Sequence, residues 1–215
     1  MLKFELVPVT HFQQNCSVVW CSETNQAALI DPGGEPERIM QVVERLKLTV
    51  VAIWLTHGHL DHVGASNALA KTLKVDVIGP HKDDEFWLKA LPEQSKMMGF
   101  TAHDALAPTR WLNDGDTLSL GNLTFSVLHC PGHTPGHVVL FEPNSKMAFV
   151  GDVIFAGSVG RTDFPRSNSQ QLIDSIREKL WPLGDDVKFV PGHGPMSTFG
   201  QERRVNPFVA DARFG

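Results

Sequence analysis

Thr56-His57-Gly58-His59-Leu60-Asp61-His62 sets four potential metal ligands directly after the apolar run Val50-Val51-Ala52-Ile53-Trp54-Leu55. Imidazole nitrogen and carboxylate oxygen are ligands for zinc and its neighbours, and so many water-preferring side chains beside a core strand need a reason. Chemistry at a metal supplies it. Residues at i, i+2 and i+4 of an extended segment project to one side, so His57, His59 and Asp61 are expected to face one cavity. A helix starting near Val63, capped by Asp61, would then turn the chain and bring Asp61 and His62 to a second metal beside the first.

The same arrangement recurs along the chain. His133 follows the apolar run 123–128, Asp152 follows 147–150, and His193 follows 187–190, each in a glycine-flanked loop. Strand ends give rigidity and the loops let side chains converge, so four such loops on one sheet edge can enclose a metal centre. His11, His81, His103 and His129 read as surface or internally satisfied residues. His137, four positions after His133, reads as a structural or ligand-orienting residue.

Around these loops the pattern is mixed α/β. Strands are predicted over 3–9, 17–21, 27–30, 50–55, 75–78, 117–120, 123–128, 138–141, 147–150 and 187–190. Helices are predicted after Pro36, over 64–73 and over 170–180. Residues 80–108 suggest one helix around Phe86 to Leu91 and an irregular segment, with Met97, Met98, Gly99 and Phe100 fitting no period. No internal repeat or linker divides the 215 residues, which are expected to form a single domain over 1–215. With 19 Lys plus Arg against 24 Asp plus Glu, a net charge of -5 and no basic tract, nucleic acid is a poor partner. No secretory signal and no apolar run of about 20 residues is seen, so neither a membrane span nor export is expected and the cytoplasm is the expected location. Cys16, Cys21 and Cys130 lack C-x-x-C spacing and read as buried thiols.

T-H-G-H-L-D-H at 56–62, P-G-H-T-P-G-H at 131–137, G-D at 151–152 and P-G-H-G-P at 191–195 resemble, in this order, the motifs of the metallo-β-lactamase superfamily. That resemblance implies an αββα sandwich with a dinuclear metal site on one edge. It also implies one metal held by His57, His59 and His133, a second held by Asp61, His62 and His193, and Asp152 bridging them. A dioxygen-reducing diiron relative would carry an acidic residue where His59 stands, and a true β-lactamase typically a cysteine where Asp152 stands. The stretch 155–164 is most similar to the glyoxalase II branch in its short bacterial form, hydroxyacylglutathione hydrolases without a helical C-terminal domain.

The resemblance implies two divalent ions, zinc first with iron or manganese as alternatives, and a small-molecule thioester as substrate. The expected reaction cleaves S-lactoylglutathione, or a related hydroxyacyl-glutathione, to a 2-hydroxy acid and thiol, a step of methylglyoxal detoxification. A metal-bridging hydroxide would attack, Asp61 orienting it as the catalytic residue. Arg161 is expected to meet a substrate carboxylate, against an alternative in which it pairs with Asp163. Two departures stand out. The chain has no tyrosine and runs only 20 residues past Pro195, so glutathione binding is expected to be reduced or different. Gly160-Arg161-Thr162-Asp163-Phe164 is also similar to persulfide dioxygenases, which use one iron on the equivalents of His57, His133 and Asp152; that reaction is the alternative. A metal-stabilised scaffold is a third reading, disfavoured by the intact set of seven ligands.

Overall fold

The computed structural model describes residues 1–214. Strand β1 (Leu2–Val9), β2 (Gln14–Cys21), β3 (Gln26–Ile30), β4 (Thr49–Trp54) and β5 (Asp76–Ile78) form a five-stranded sheet in that order. Period-two alternation decides what each face carries. Val18, Leu29 and Ile53, register partners across three strands, face outward to the helices, whereas Val19, Ala28 and Trp54 face the second sheet. β3, β4 and β5 run parallel and are linked by α1 (Pro36–Arg45) and by the pair α2 (Leu60–Val63) and α3 (Ser66–Leu73). Ile39 and Val43 of α1 and Leu69 of α3 cover the outer face.

The second sheet holds six strands, and β10 (Ile154–Phe155) and β11 (Ser158–Val159) form a separate hairpin. The order in the second sheet is β13 (Ser197–Thr198), β12 (Lys188–Pro191), β9 (Met147–Gly151), β8 (Val138–Glu142), β7 (Leu123–His129) and β6 (Thr117–Leu120). α6 (Ser169–Asp174) and α7 (Phe199–Val205) close its outer face through Leu172 and Phe199. The two sheets meet over Trp54, Phe125 and Phe149; Trp54 lies edge-on to Phe125 at 5.0 Å. Such an aromatic pair adds about 0.5–1.5 kcal/mol beyond its burial. The architecture is the expected αββα sandwich.

Strand direction gathers the candidate ligands. β7 and β9 both pair antiparallel with β8, and β12 runs parallel to β9, so the C-terminal ends of β7, β9 and β12 share one edge. The Val138 amide donates to Thr56 O at 2.8 Å and binds that edge to the loop after β4.

Three local expectations change. α2 begins at Leu60, with extended His59 before it and no side-chain cap, so Asp61 sits inside the first turn rather than capping a helix at Val63. The helix expected around Phe86 to Leu91 is α4 (Glu85–Lys89), while the stretch after it, expected to be irregular, forms a second helix, α5 (Leu91–Met98). Its periodicity fails because Met97 and Met98 turn away from the core to the mouth of a cleft, where Met97 is 86% exposed. The single helix expected over 170–180 becomes α6 followed by a π-helical turn over Ser175–Leu180. No helix among the described residues is long and apolar enough to cross a membrane.

Candidate metal centre

All seven sequence-picked residues meet at the shared edge. His59 Nδ1 lies 3.1 Å from His57 Nε2 and 3.0 Å from His133 Nε2. Beside this trio, Asp61 Oδ2 is 3.2 Å from His193 Nε2 and 3.9 Å from His62 Nε2. Asp152 stands between the groups: Oδ1 is 3.4 Å from His62 Nε2, while Oδ2 is 3.6 Å from His133 Nε2 and 3.7 Å from His193 Nε2. Within each trio the donor atoms lie inside 4.8 Å of one another. The helical turn at Leu60 accompanies this division: Asp61 and His62 meet His193, while His57 and His59 meet His133.

The far nitrogens of four imidazoles are already engaged. His62 Nδ1 lies 2.9 Å from Asp31 Oδ2, His133 Nδ1 donates to Arg161 O at 2.8 Å, and His193 Nδ1 donates to Phe12 O at 3.1 Å. Thr56 Oγ1 donates to Asp31 Oδ2 at 2.5 Å and therefore accepts from His57 Nδ1 at 3.1 Å. Each of these bonds fixes a tautomer whose Nε2 lone pair points inward, as metal-binding imidazoles require. His59 is reversed and offers Nδ1.

The centre fits a cation. His62 Nε2 and Asp152 Oδ1 are buried, face the cluster and have no hydrogen-bond partner, and a buried polar atom left unpaired costs about 1–3 kcal/mol. Burial, reinforced by the facing imidazoles, holds His57 well below the ordinary imidazole range and brings His59 to about 3, so both stay neutral donors. Burial also lowers His133. The other group is different. Burial disfavours charge on His62, yet Asp152 and Asp61 outweigh it and hold His62 well above the ordinary range; the same carboxylates raise His193. Burial pushes Asp152 up, but His62, His133 and His193 draw it far below the carboxylate range. Three carboxylates, Asp31, Asp61 and Asp152, thus pull positive charge to this point.

Sequence reasoning missed Asp31 and Asp84. Asp31 opens the turn-favouring stretch Asp31-Pro32-Gly33-Gly34, and its partners Thr56 and His62 are 25 and 31 residues away. Asp84 is buried and accepts from Gly58 N at 2.9 Å, Thr134 Oγ1 at 2.7 Å and Gly136 N at 2.6 Å. It clamps the His57 loop to the His133 loop, and burial raises its carboxyl to about 6. The glycine that marks Asp84 is Gly136: a side chain there would lie 2.5 Å from the Asp84 amide nitrogen and 2.7 Å from its Oδ1. His137 behaves as expected, accepting from the Asp152 amide at 3.0 Å and stacking on His57 at 4.6 Å. His11, His81, His103 and His129 stay outside the seven; His81 and His129 stack on each other at 4.2 Å.

The centre forms the floor of a cleft of about 760 Å³. Arg161 stands on its rim, paired with Asp163 through bonds of 3.0 and 2.7 Å and lying 4.9 Å from the Phe164 ring centre. The ion pair weighed against substrate contact is therefore formed.

The model of the metallo-β-lactamase superfamily matches residues 9–193. The chain belongs to the metallo-β-lactamase superfamily. Among metallo-β-lactamase relatives, the hydroxyacylglutathione hydrolase GloC of Haemophilus influenzae is 50% identical over 209 residues, 97% of this chain and 98% of that protein. The crystal structure of the B3 metallo-β-lactamase BLEG-1 superposes with a TM-score of 0.89 at 36% identity, covering 96% of this chain and 99% of that one. TTHA1623, solved in a di-iron-bound form, gives 0.87 at 36% identity, covering 95% and 100%.

Proposed function

We propose that this protein is a metal-dependent thioester hydrolase of the glyoxalase II type, acting on S-lactoylglutathione or a related hydroxyacyl-glutathione. The observation that carries the reading is the Asp152 carboxylate standing between two complete donor trios at the floor of a substrate-sized cleft. The relative named hydroxyacylglutathione hydrolase supports the substrate class.

His57, His59 and His133 would hold one divalent ion, and Asp61, His62 and His193 a second, with Asp152 shared between them. When bound, such ions polarise a carbonyl and lower the pKa of water from about 15.7 towards about 7. Zinc, iron and manganese all suit the nitrogen and oxygen donors. The chain's own residues do the rest. Burial pushes the Asp61 carboxyl up, but His62 and His193 outweigh it and keep it ionised. Its carboxylate would orient water towards the thioester carbonyl carbon and take a proton as the carbon–sulfur bond breaks. Trp87 and Phe164 border His59 and exclude bulk water from that side. The products are a 2-hydroxy acid and a thiol that leaves as thiolate.

Three free, buried cysteines suit a reducing compartment, and we place the activity in the cytoplasm. A mononuclear-iron persulfide dioxygenase would need only His57, His133 and Asp152; the second trio, with Asp31 ordering His62, supports hydrolysis instead. Metal analysis paired with thiol release from S-lactoylglutathione tests the choice. Two ions per chain and release without oxygen are expected; one iron with oxygen uptake on glutathione persulfide would sink the proposal.

A further inference from the structure

The cleft walls contrast with its floor. The floor is ionic, whereas the walls are formed by Phe12, Trp87, Met97, Met98, Phe155 and Phe164. Aromatic rings border both sides of the centre. Trp87 and Phe164 lie 4.6 and 4.8 Å from the His59 ring, Phe164 lies 5.5 Å from His133, and Phe155 lies 6.3 Å from His193. A carbonyl carbon held at the floor therefore has an aromatic surface within one side-chain length on either side. Charge is scarce on the walls: among the described residues lining the cleft, Arg161 is the one Lys or Arg, and Asp163 occupies its fork of donors. Glutathione brings two carboxylates and one ammonium, and these walls give them few partners.

From this contrast, and resting on the thioesterase reading, we infer that the enzyme selects its substrate by a bulky apolar 2-hydroxyacyl group, aromatic above all, and holds the glutathionyl peptide loosely. A lactoyl methyl leaves the rings in contact with water; a phenyl group covers them. Burial of apolar surface drives that preference, and flexible Met97 and Met98 adapt to groups of different shape. In hydrophobic sites a single methylene changes selectivity by about 10–200-fold.

The test compares kcat/KM of the metal-loaded protein on S-mandeloylglutathione, S-lactoylglutathione and S-mandeloyl-N-acetylcysteamine. The mandeloyl thioester is expected to exceed the lactoyl by about tenfold or more, and truncation of glutathione to N-acetylcysteamine to cost less than about tenfold. Trp87→Ala and, independently, Phe164→Ala should bring the mandeloyl-to-lactoyl ratio towards one. That ratio is read within each variant, so a partly folded preparation does not distort it. Lactoyl turnover equal to or faster than mandeloyl turnover overturns the inference and leaves the thioesterase reading standing, as does a ratio that neither variant changes. Failure to cleave any of the three thioesters with two metals bound overturns both.

Discussion

The two donor trios flanking Asp152 are anchored in opposite ways. His57, His59 and His133 are buried and neutral, and their loops are joined by Asp84. Asp61, His62 and His193 set a carboxylate against two imidazoles, with His193 half-buried, and they hang on Asp31 and on the Phe12 carbonyl near the N-terminus. One side depends on keeping water out, since burial is what keeps its imidazoles unprotonated. The other depends on balanced charge. The trios should therefore fail unequally, each most to a different substitution.

Removing what they share has the largest effect. Asp152→Ala is expected to lower metal content in both trios and to reduce kcat by about a thousandfold, the loss of several kcal/mol of transition-state stabilisation; a fully metal-loaded variant would contradict the shared role. Asp31→Asn sharpens the comparison from one side. It leaves His62 Nδ1 without its carboxylate and reaches His57 only through the Thr56 hydroxyl, so titration with zinc should show the Asp61, His62 and His193 site weakened by about 10–100-fold and the other site less. Equal weakening of both would erase the distinction.

Asp84→Asn acts on the neutral side. Its carboxyl stands at about 6 when folded against an ordinary 3.8. As pH rises, the unfolded chain loses this proton first. The stability Asp84 contributes is therefore complete below 3.8 and is lost as pH passes about 6. Urea unfolding across that window should show the variant gaining on the parent by up to about 3 kcal/mol, and its metal loss should fall on the His57, His59 and His133 side. The smallest effect belongs to the rim: Arg161→Ala should raise KM by no more than about fivefold, because an exposed ion pair contributes about 1 kcal/mol or less.

The candidate ligands were legible because each closes a strand with a glycine-bracketed, water-preferring residue, and four such loops in order leave few folds to choose from. Their division into two trios was legible through the family resemblance and not from the spacing of the segment alone. Treated as extended, the 57–61 segment places His57, His59 and Asp61 together; the helical turn at Leu60 separates them. Asp31 and Asp84 escaped notice because an isolated aspartate near a turn has an ordinary local explanation, while their partners lie 25 to 52 residues away. Met97 and Met98 broke the helical period for a reason outside the helix, their place at the cleft mouth. Sequence periodicity reports burial against a core, and it loses its meaning where a helix turns apolar groups towards a substrate.

The central claim is hydrolysis at this centre, with water as the only oxygen donor. The direct measurement is mass spectrometry of the lactate formed from S-lactoylglutathione in heavy-oxygen water under nitrogen. One heavy oxygen per lactate carboxylate, with one thiol released for each, is the expected result. Absence of lactate until oxygen is admitted would contradict it.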